Sequence, residues 1–102
     1  MKYVTETKHV PLGFGEIAGG ALDGQAVTLK GAVHSLRAMG GITFLALRVR
    51  DGAVQCVCRP EELPEGLCEE CAVVVTGTVR REERAPGGRE LAAEEVRVLS
   101  RP

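Results

Sequence analysis

From Gln25 onward the chain alternates with a period of two. Val27, Leu29, Gly31 and Val33 fall on one side and Thr28, Lys30, Ala32 and His34 on the other, the pattern of a half-buried strand. Met39-Gly40-Gly41 supplies a turn. Ile42 to Arg50 then alternate again, with Leu45, Leu47 and Val49 on one face and Ile42, Phe44, Ala46 and Arg48 on the other. Asp51-Gly52 is a strong short-hairpin signal. Beyond it Val54, Cys56 and Cys58 share one face of a third strand, and Ala53, Gln55 and Val57 share the other. Pro60-Glu61-Glu62-Leu63 opens a short helix that Pro64 and Gly66 hold to a turn or two. Ala72 to Val79 is the most β-prone stretch, Arg80 to Gly88 reads as a polar loop, and a last strand runs from about Glu90 to Leu99. Residues 1–24 carry five glycines, one proline and few large apolar groups, which predicts an extended or loosely packed lead-in before a domain at 25–102.

The predicted order is three strands in meander, a small helical insert, then two more strands. This is the order of the OB-fold, an all-β, five-stranded Greek-key barrel with a short helix between strands three and four. Its usual binding surface is the face of strands two and three, flanked by the loops between strands one and two and between four and five. If Leu45 and Leu47 point into such a barrel, Phe44, Ala46 and Arg48 point out, because neighbours on a strand face opposite ways. Gln55, out of phase with Val54 and Cys56, faces outward near Phe44. A ring that stacks on a base beside an amide that reads a base edge is the equipment of single-strand recognition. The pattern alone leaves a second reading of Phe44 open, in which the ring covers a barrel end or packs under the lead-in.

Length and composition narrow the picture. At 102 residues the chain can bury one modest core, and 44% hydrophobic with 26% charged residues is near the globular average. Tyr3, Phe14 and Phe44 are the only aromatics, so the core must be aliphatic. A net charge of -1 lacks the basic footprint usual in nucleic-acid binders. Arginines nevertheless gather at Arg37, Arg48 and Arg50 and again at Arg80, Arg81, Arg84 and Arg89, while acids gather at Glu61, Glu62, Glu65, Glu69 and Glu70. A local basic face is compatible with a neutral total, and solvated surface charge is the plainer alternative.

No apolar run approaches the roughly 18 residues of a bilayer span, and the first residues lack the apolar centre of an export signal. A soluble, cytoplasmic protein with no membrane partner is expected. Its four cysteines are then reduced thiols or metal ligands. Core packing is the expectation for them. A four-thiolate zinc site from Cys56, Cys58, Cys68 and Cys71 is the alternative, weakened because the first pair has one intervening residue where zinc knuckles usually have about two to four. No other cofactor is expected. His9 and His34 stand without a nucleophile and acid at recognisable spacing, and Gly13-Phe14-Gly15 is only a weak echo of a phosphate loop.

The stretch from Gly31-Ala32-Val33 through Arg37, Gly40-Gly41, Phe44 and Leu47-Arg48 to Gln55 resembles a pattern shared by aspartyl- and asparaginyl-tRNA synthetases. That pattern runs Gly-Trp-Val, a spacer to Arg, a Gly turn, Phe, Leu-Arg-Asp and, after a Gly hairpin, Gln, and the spacings match without a gap. Val73 to Val79 is similar to the family's fourth strand, and Gly88 to Leu91 with Val96 to Leu99 to its fifth, so the resemblance covers about Gln25 to Leu99, the whole anticodon-binding domain. It implies that Phe44 stacks on the central anticodon base, a uridine, that Gln55 and Arg37 contact anticodon bases or their backbone, and that Glu90 takes part in base reading. Arg48, Arg81 and Arg84 are the basic residues expected around them. Ala32 replaces the family's Trp, Val49 its Asp, and Ala46 a frequent Asp, which bears on specificity for one anticodon.

The implied partner is a tRNA anticodon loop or other single-stranded RNA or DNA. A class II catalytic domain would need several hundred further residues. The chain is therefore expected not to aminoacylate, whether it is an excised synthetase domain or a freestanding relative. The alternative is an assembly module whose barrel pairs, through an exposed edge strand, with another protein or with a second copy as a homodimer.

Overall fold

The structure, a computed structural model, describes residues 12–102. Five strands, β1 (Ala26–Met39), β2 (Ile42–Val49), β3 (Gly52–Cys58), β4 (Ala72–Arg81) and β5 (Arg89–Ser100), close into a barrel in the order β1-β2-β3-β5-β4. All neighbours are antiparallel except β3 and β5, which run parallel over Gln55↔Glu90, Cys56↔Leu91 and Val57↔Ala92. This is the OB-fold expected from the strand order. The helical insert is a 3-10 turn at Pro60–Glu62, and a second one, Pro86–Gly88, precedes β5.

The inward faces are those of the alternation: Leu29, Val33, Leu45, Leu47, Val54, Cys56, Cys58, Val73, Val75, Val79 and Leu91 are all buried. No aromatic residue is among them. Because the circuit closes, no strand is left unpaired among the described residues. Edge pairing with a partner or second copy would have to use stretches that pair on one side only, such as β5 beyond Ala92 or β1 beyond Val33.

One irregularity positions the site. The first half of β1 pairs with β4, from Ala26↔Thr78 to Ala32↔Ala72, and the second half pairs with β2. At the handover, Val33 faces Leu47 and Ser35 faces Ala46, so His34 is an extra residue, a β-bulge. One residue of slip exchanges the two faces of a strand. Before the bulge odd-numbered residues face the core. After it Leu36 lies opposite Leu45 and faces inward, while Arg37 lies opposite Phe44 and shares its outer face.

Residues 1–11 of the predicted lead-in, with Tyr3 and His9, lie outside the described residues. Within the remainder, Phe14–Ala18 form a one-turn helix, α1, whose Ile17 is 1% exposed and joins the core. The Phe14 ring packs between Gly52 and Gly87. The aromatic that covers a barrel end is therefore Phe14.

The start of α1 is held by a residue far along the chain. The Asp51 carboxylate accepts the backbone N–H groups of Phe14 and Gly15, which are donors no intrahelical carbonyl can take. The Gly-Phe-Gly segment thus offers these amides to the protein's own carboxylate and not to a phosphate. The same two bonds hold the Asp51 carboxyl below the usual carboxylate range. A group with a depressed folded-state pKa contributes stability above its unfolded pKa and loses it as pH falls through the folded one. Asp51→Ala is therefore expected to lower the melting temperature at neutral pH. The gap from the parent protein should narrow on acidification, which a series of thermal melts against pH checks.

Candidate nucleic-acid interface

Two cross-strand rows on the outer wall carry the site. Arg37 of β1, Phe44 of β2 and Val57 of β3 lie in one cross-strand row. Two residues along β2, a second row runs Ala46, Gln55 of β3, Glu90 of β5 and Arg80 of β4. Phe44 and Gln55 are diagonal neighbours, about 7–8 Å apart by sheet geometry, within reach of one dinucleotide. Phe44 is half-buried and takes no part in the core cluster. The Arg37 guanidinium sits over its ring, 5.2 Å from the centroid, a cation–π arrangement.

Gln55 is oriented, not merely present. Its Nε2 donates to Glu90 Oε1 at 2.9 Å, and Arg80 Nε donates to Glu90 Oε2 at 2.6 Å. A carboxylate offers only acceptors, so it selects the nitrogen side of the amide and turns the Gln55 carbonyl oxygen away from itself. Glu90 is 4% exposed although it lies on the barrel's outer wall, and the Arg80 guanidinium supplies the countercharge a buried carboxylate needs.

Two adjoining hollows, of about 380 and 390 Å³, flank the ring and the amide. Arg37, Phe44 and Gln55 line both. Glu90, Arg80 and Arg84 join them in the first, and Ala46 and Pro86 lie on the second, so the β4–β5 loop forms one bank of the groove.

The other basic candidates divide. Arg84 reaches the groove from the loop, where its Nε also meets Glu82 at 3.3 Å. Arg81 lines only a separate shallow hollow on that loop with Glu82, Glu83 and Arg84. Arg48 lies two residues beyond Ala46, opposite Ala32 and Ala53, and its two terminal nitrogens grip the Glu70 carboxylate at 3.2 and 2.7 Å. The structure does not bring it to the groove. Arg80, expected in the polar loop, lines the groove because β4 runs on to Arg81. The alternation through Val75 and Val79, carried one residue further, would have assigned Arg80 to the outer face.

The four cysteines do not assemble. Cys56 and Cys58 are sealed in the core, where burial pushes the Cys56 thiol far up and the Cys58 thiol to about 11. Among the described residues no three His, Cys, Asp or Glu side chains converge as metal ligands, so the four-thiolate alternative has no donor set. No helix among the described residues is long and apolar enough to cross a membrane.

A closed five-stranded barrel of this order is an OB-fold, and the ring and the oriented amide stand on the wall of strands two and three that OB-folds commonly use for binding. The family model described as the OB-fold nucleic acid binding domain matches residues 27–99, and the chain belongs to that family. It is an anticodon-binding type of OB-fold domain, related to the N-terminal domains of aspartyl- and asparaginyl-tRNA synthetases. The aspartate--tRNA(Asp/Asn) ligase of Archaeoglobus fulgidus is 42% identical over 87 residues, which cover 78% of this chain and 20% of the ligase. The asparagine--tRNA ligase of Thermoplasma acidophilum is 33% identical over 97 residues, 88% of this chain and 23% of the ligase.

Among solved structures, asparaginyl-tRNA synthetase from Pyrococcus horikoshii complexed with asparaginyl-adenylate matches with a TM-score of 0.78 at 33% identity. That match covers 89% of this chain and 22% of the synthetase. An OBody bound to hen egg-white lysozyme matches with a TM-score of 0.73 at 22% identity, over 92% of this chain and 97% of the OBody, a likeness of fold alone. The chain spans about a fifth of the length of the curated ligases it matches.

Proposed function

We propose that the outer wall of β2 and β3 holds the unpaired anticodon loop of a tRNA, with one base stacked on Phe44 and a neighbouring base edge met by Gln55. The observation that carries this is the pairing, in one groove, of a ring the core does not use with an amide whose orientation Glu90 dictates. Family membership and the tRNA ligases among the relatives support it. Phe44 binds any base by its π-face. Gln55 discriminates, because its carbonyl oxygen accepts only from a base N–H. Arg37, which covers the ring, yields that place to the base and moves out to its far face or to a phosphate, Arg84 meets the backbone at the rim, and Glu90 acts through Gln55. In this role the chain works as the tRNA-gripping part of an aspartate or asparagine ligase or as a freestanding relative, and contributes no chemical step of its own.

Fluorescence-anisotropy titration of an anticodon stem-loop, against a duplex of the same stem without the loop, tests the reading. The loop is expected to bind and the duplex to bind far more weakly. With about two phosphate contacts at roughly -0.7 each for a single strand, the slope of log K on log salt should lie near -1.4, shallow because few phosphates are contacted. Equal affinity for loop and duplex would remove the proposal. Gln55→Leu is expected to compress the difference between cognate and non-cognate loops by roughly tenfold, on the order of one lost hydrogen bond to a base.

A further inference from the structure

Cys68 and Cys71 lie outside the groove, Cys68 at the surface and Cys71 at the margin of the buried core that also holds Cys56 and Cys58. They occupy the first and fourth positions of a tight turn leading into β4, closed by the Cys71 N–H donating to the Cys68 carbonyl at 3.3 Å. A turn of this span keeps its end Cα atoms within about 7 Å. That is the range a disulfide bridges. The two sulfurs are already 3.6 Å apart. Cys68 is exposed and Cys71 is buried directly beneath it.

The turn is pinned in this shape. Glu70, at its third position, holds φ 72°, the left-handed region that favours glycine, and no other non-glycine residue does so among the described residues. Its N–H donates to the Val33 carbonyl at 2.8 Å and its carboxylate takes Arg48. On the other side of Val33, the Val33 N–H donates to the Cys71 carbonyl at 2.9 Å. Bracketed at both ends, the backbone holds one reachable thiol against a second that waits within contact. Closing the bond then needs only side-chain rotation.

We infer that Cys68 and Cys71 form a thiol–disulfide exchange site that a small disulfide of the oxidised-glutathione class closes reversibly. In the first step the Cys68 thiolate attacks one sulfur of the disulfide. The S–S bond breaks, and one glutathione thiolate departs with the bonding pair. In the second step Cys71 loses its proton and attacks the Cys68 sulfur, expelling the second glutathione thiolate. The two cysteines are oxidised by two electrons together. The reagent is reduced to two thiols, which take up the two protons released.

The exposed sulfur is the entry point, and the hydrogen bond with Cys71 pushes the Cys68 thiol up. The thiolate is the nucleophile, so the reaction is slow at neutral pH and gains about tenfold per pH unit below the thiol pKa.

The full chain is incubated with oxidised glutathione at neutral and mildly alkaline pH, quenched with acid, and followed by intact mass and peptide mapping. The expected product has lost two hydrogens, carries its crosslink between Cys68 and Cys71, forms faster at the higher pH and reverts with a dithiol reductant. Cys71→Ser should instead accumulate one glutathionyl group on Cys68. Cys68→Ser, a change at an exposed position, should take up none, since the remaining thiols are buried. A wild-type chain that stops at the glutathionyl adduct, stays fully reduced at alkaline pH, or links Cys56 or Cys58 would overturn the assignment. Neither the turn, with Glu70 inside it, nor Arg48 against it supplies a side chain to the hollows around Phe44 and Gln55, so stem-loop affinity should be the same before and after oxidation.

Discussion

Phe44→Ala is expected to weaken binding of an anticodon stem-loop roughly tenfold to a hundredfold while leaving the melting temperature close to that of the parent. Stacking of a base on an aromatic side chain is worth about 1–3 kcal/mol by alanine substitution, and each 1.4 kcal/mol is about a factor of ten. The cost falls on binding because Phe44 projects from the barrel wall and lies outside the cluster of buried aliphatics that holds the fold. Phe44→Tyr keeps the π-face and should retain most of the affinity. A Phe44→Ala protein that binds as tightly as the parent would mean that the ring is not the anchor, and one that unfolds would mean that the ring belongs to the core.

The largest effect on stability is expected from a single methyl group. A Cβ at Gly77 would collide with the Ala92 carbonyl oxygen and stand 2.9 Å from the Ala93 Cα, where β4 and β5 slip register between Thr76 and Gly77. The obstacle is backbone, which cannot turn aside as a side chain can. Gly77→Ala therefore has to push β5 away from β4. Overpacking typically costs about 1–3 kcal/mol, and at this size each kcal/mol is worth roughly 4–8 °C, so a melting-temperature loss on the order of 10 °C is expected. Gly31, whose Cβ would meet the Arg48 carbonyl oxygen at the other close approach in the barrel, should behave similarly. An unchanged melting curve for Gly77→Ala would contradict the tight β4–β5 approach.

Much of this was legible from the alternation alone. Period two set the inward faces of β2 and β3, and so placed Phe44 and Gln55 outward together. Asp51-Gly52 marked the hairpin that brings those strands side by side. The features that escaped are those that a second segment creates. His34 reads as one more residue of a strand, and only the register against β2 makes it a bulge that turns Arg37 toward Phe44. Helix α1 is too short for a periodic signature, and its N-terminus is held by Asp51, more than thirty residues away. Arg80 was lost to the loop because a strand end is set by its ladder partner, here Glu90. Arg48 looked like its neighbours in sequence, yet Glu70 holds it away from the groove through a turn that the residue pattern does not announce.

The binding face can be tested without any substitution. Tyr3, Phe14 and Phe44 are the only aromatic residues, so the ring protons of Phe44 can be followed individually by NMR as an anticodon stem-loop is added. Upfield movement of those protons, with backbone shifts concentrated at Arg37, Gln55, Arg80 and Glu90, is the predicted result. Perturbation confined to the opposite wall around Lys30 and Val74, with the Phe44 ring unmoved, would contradict it.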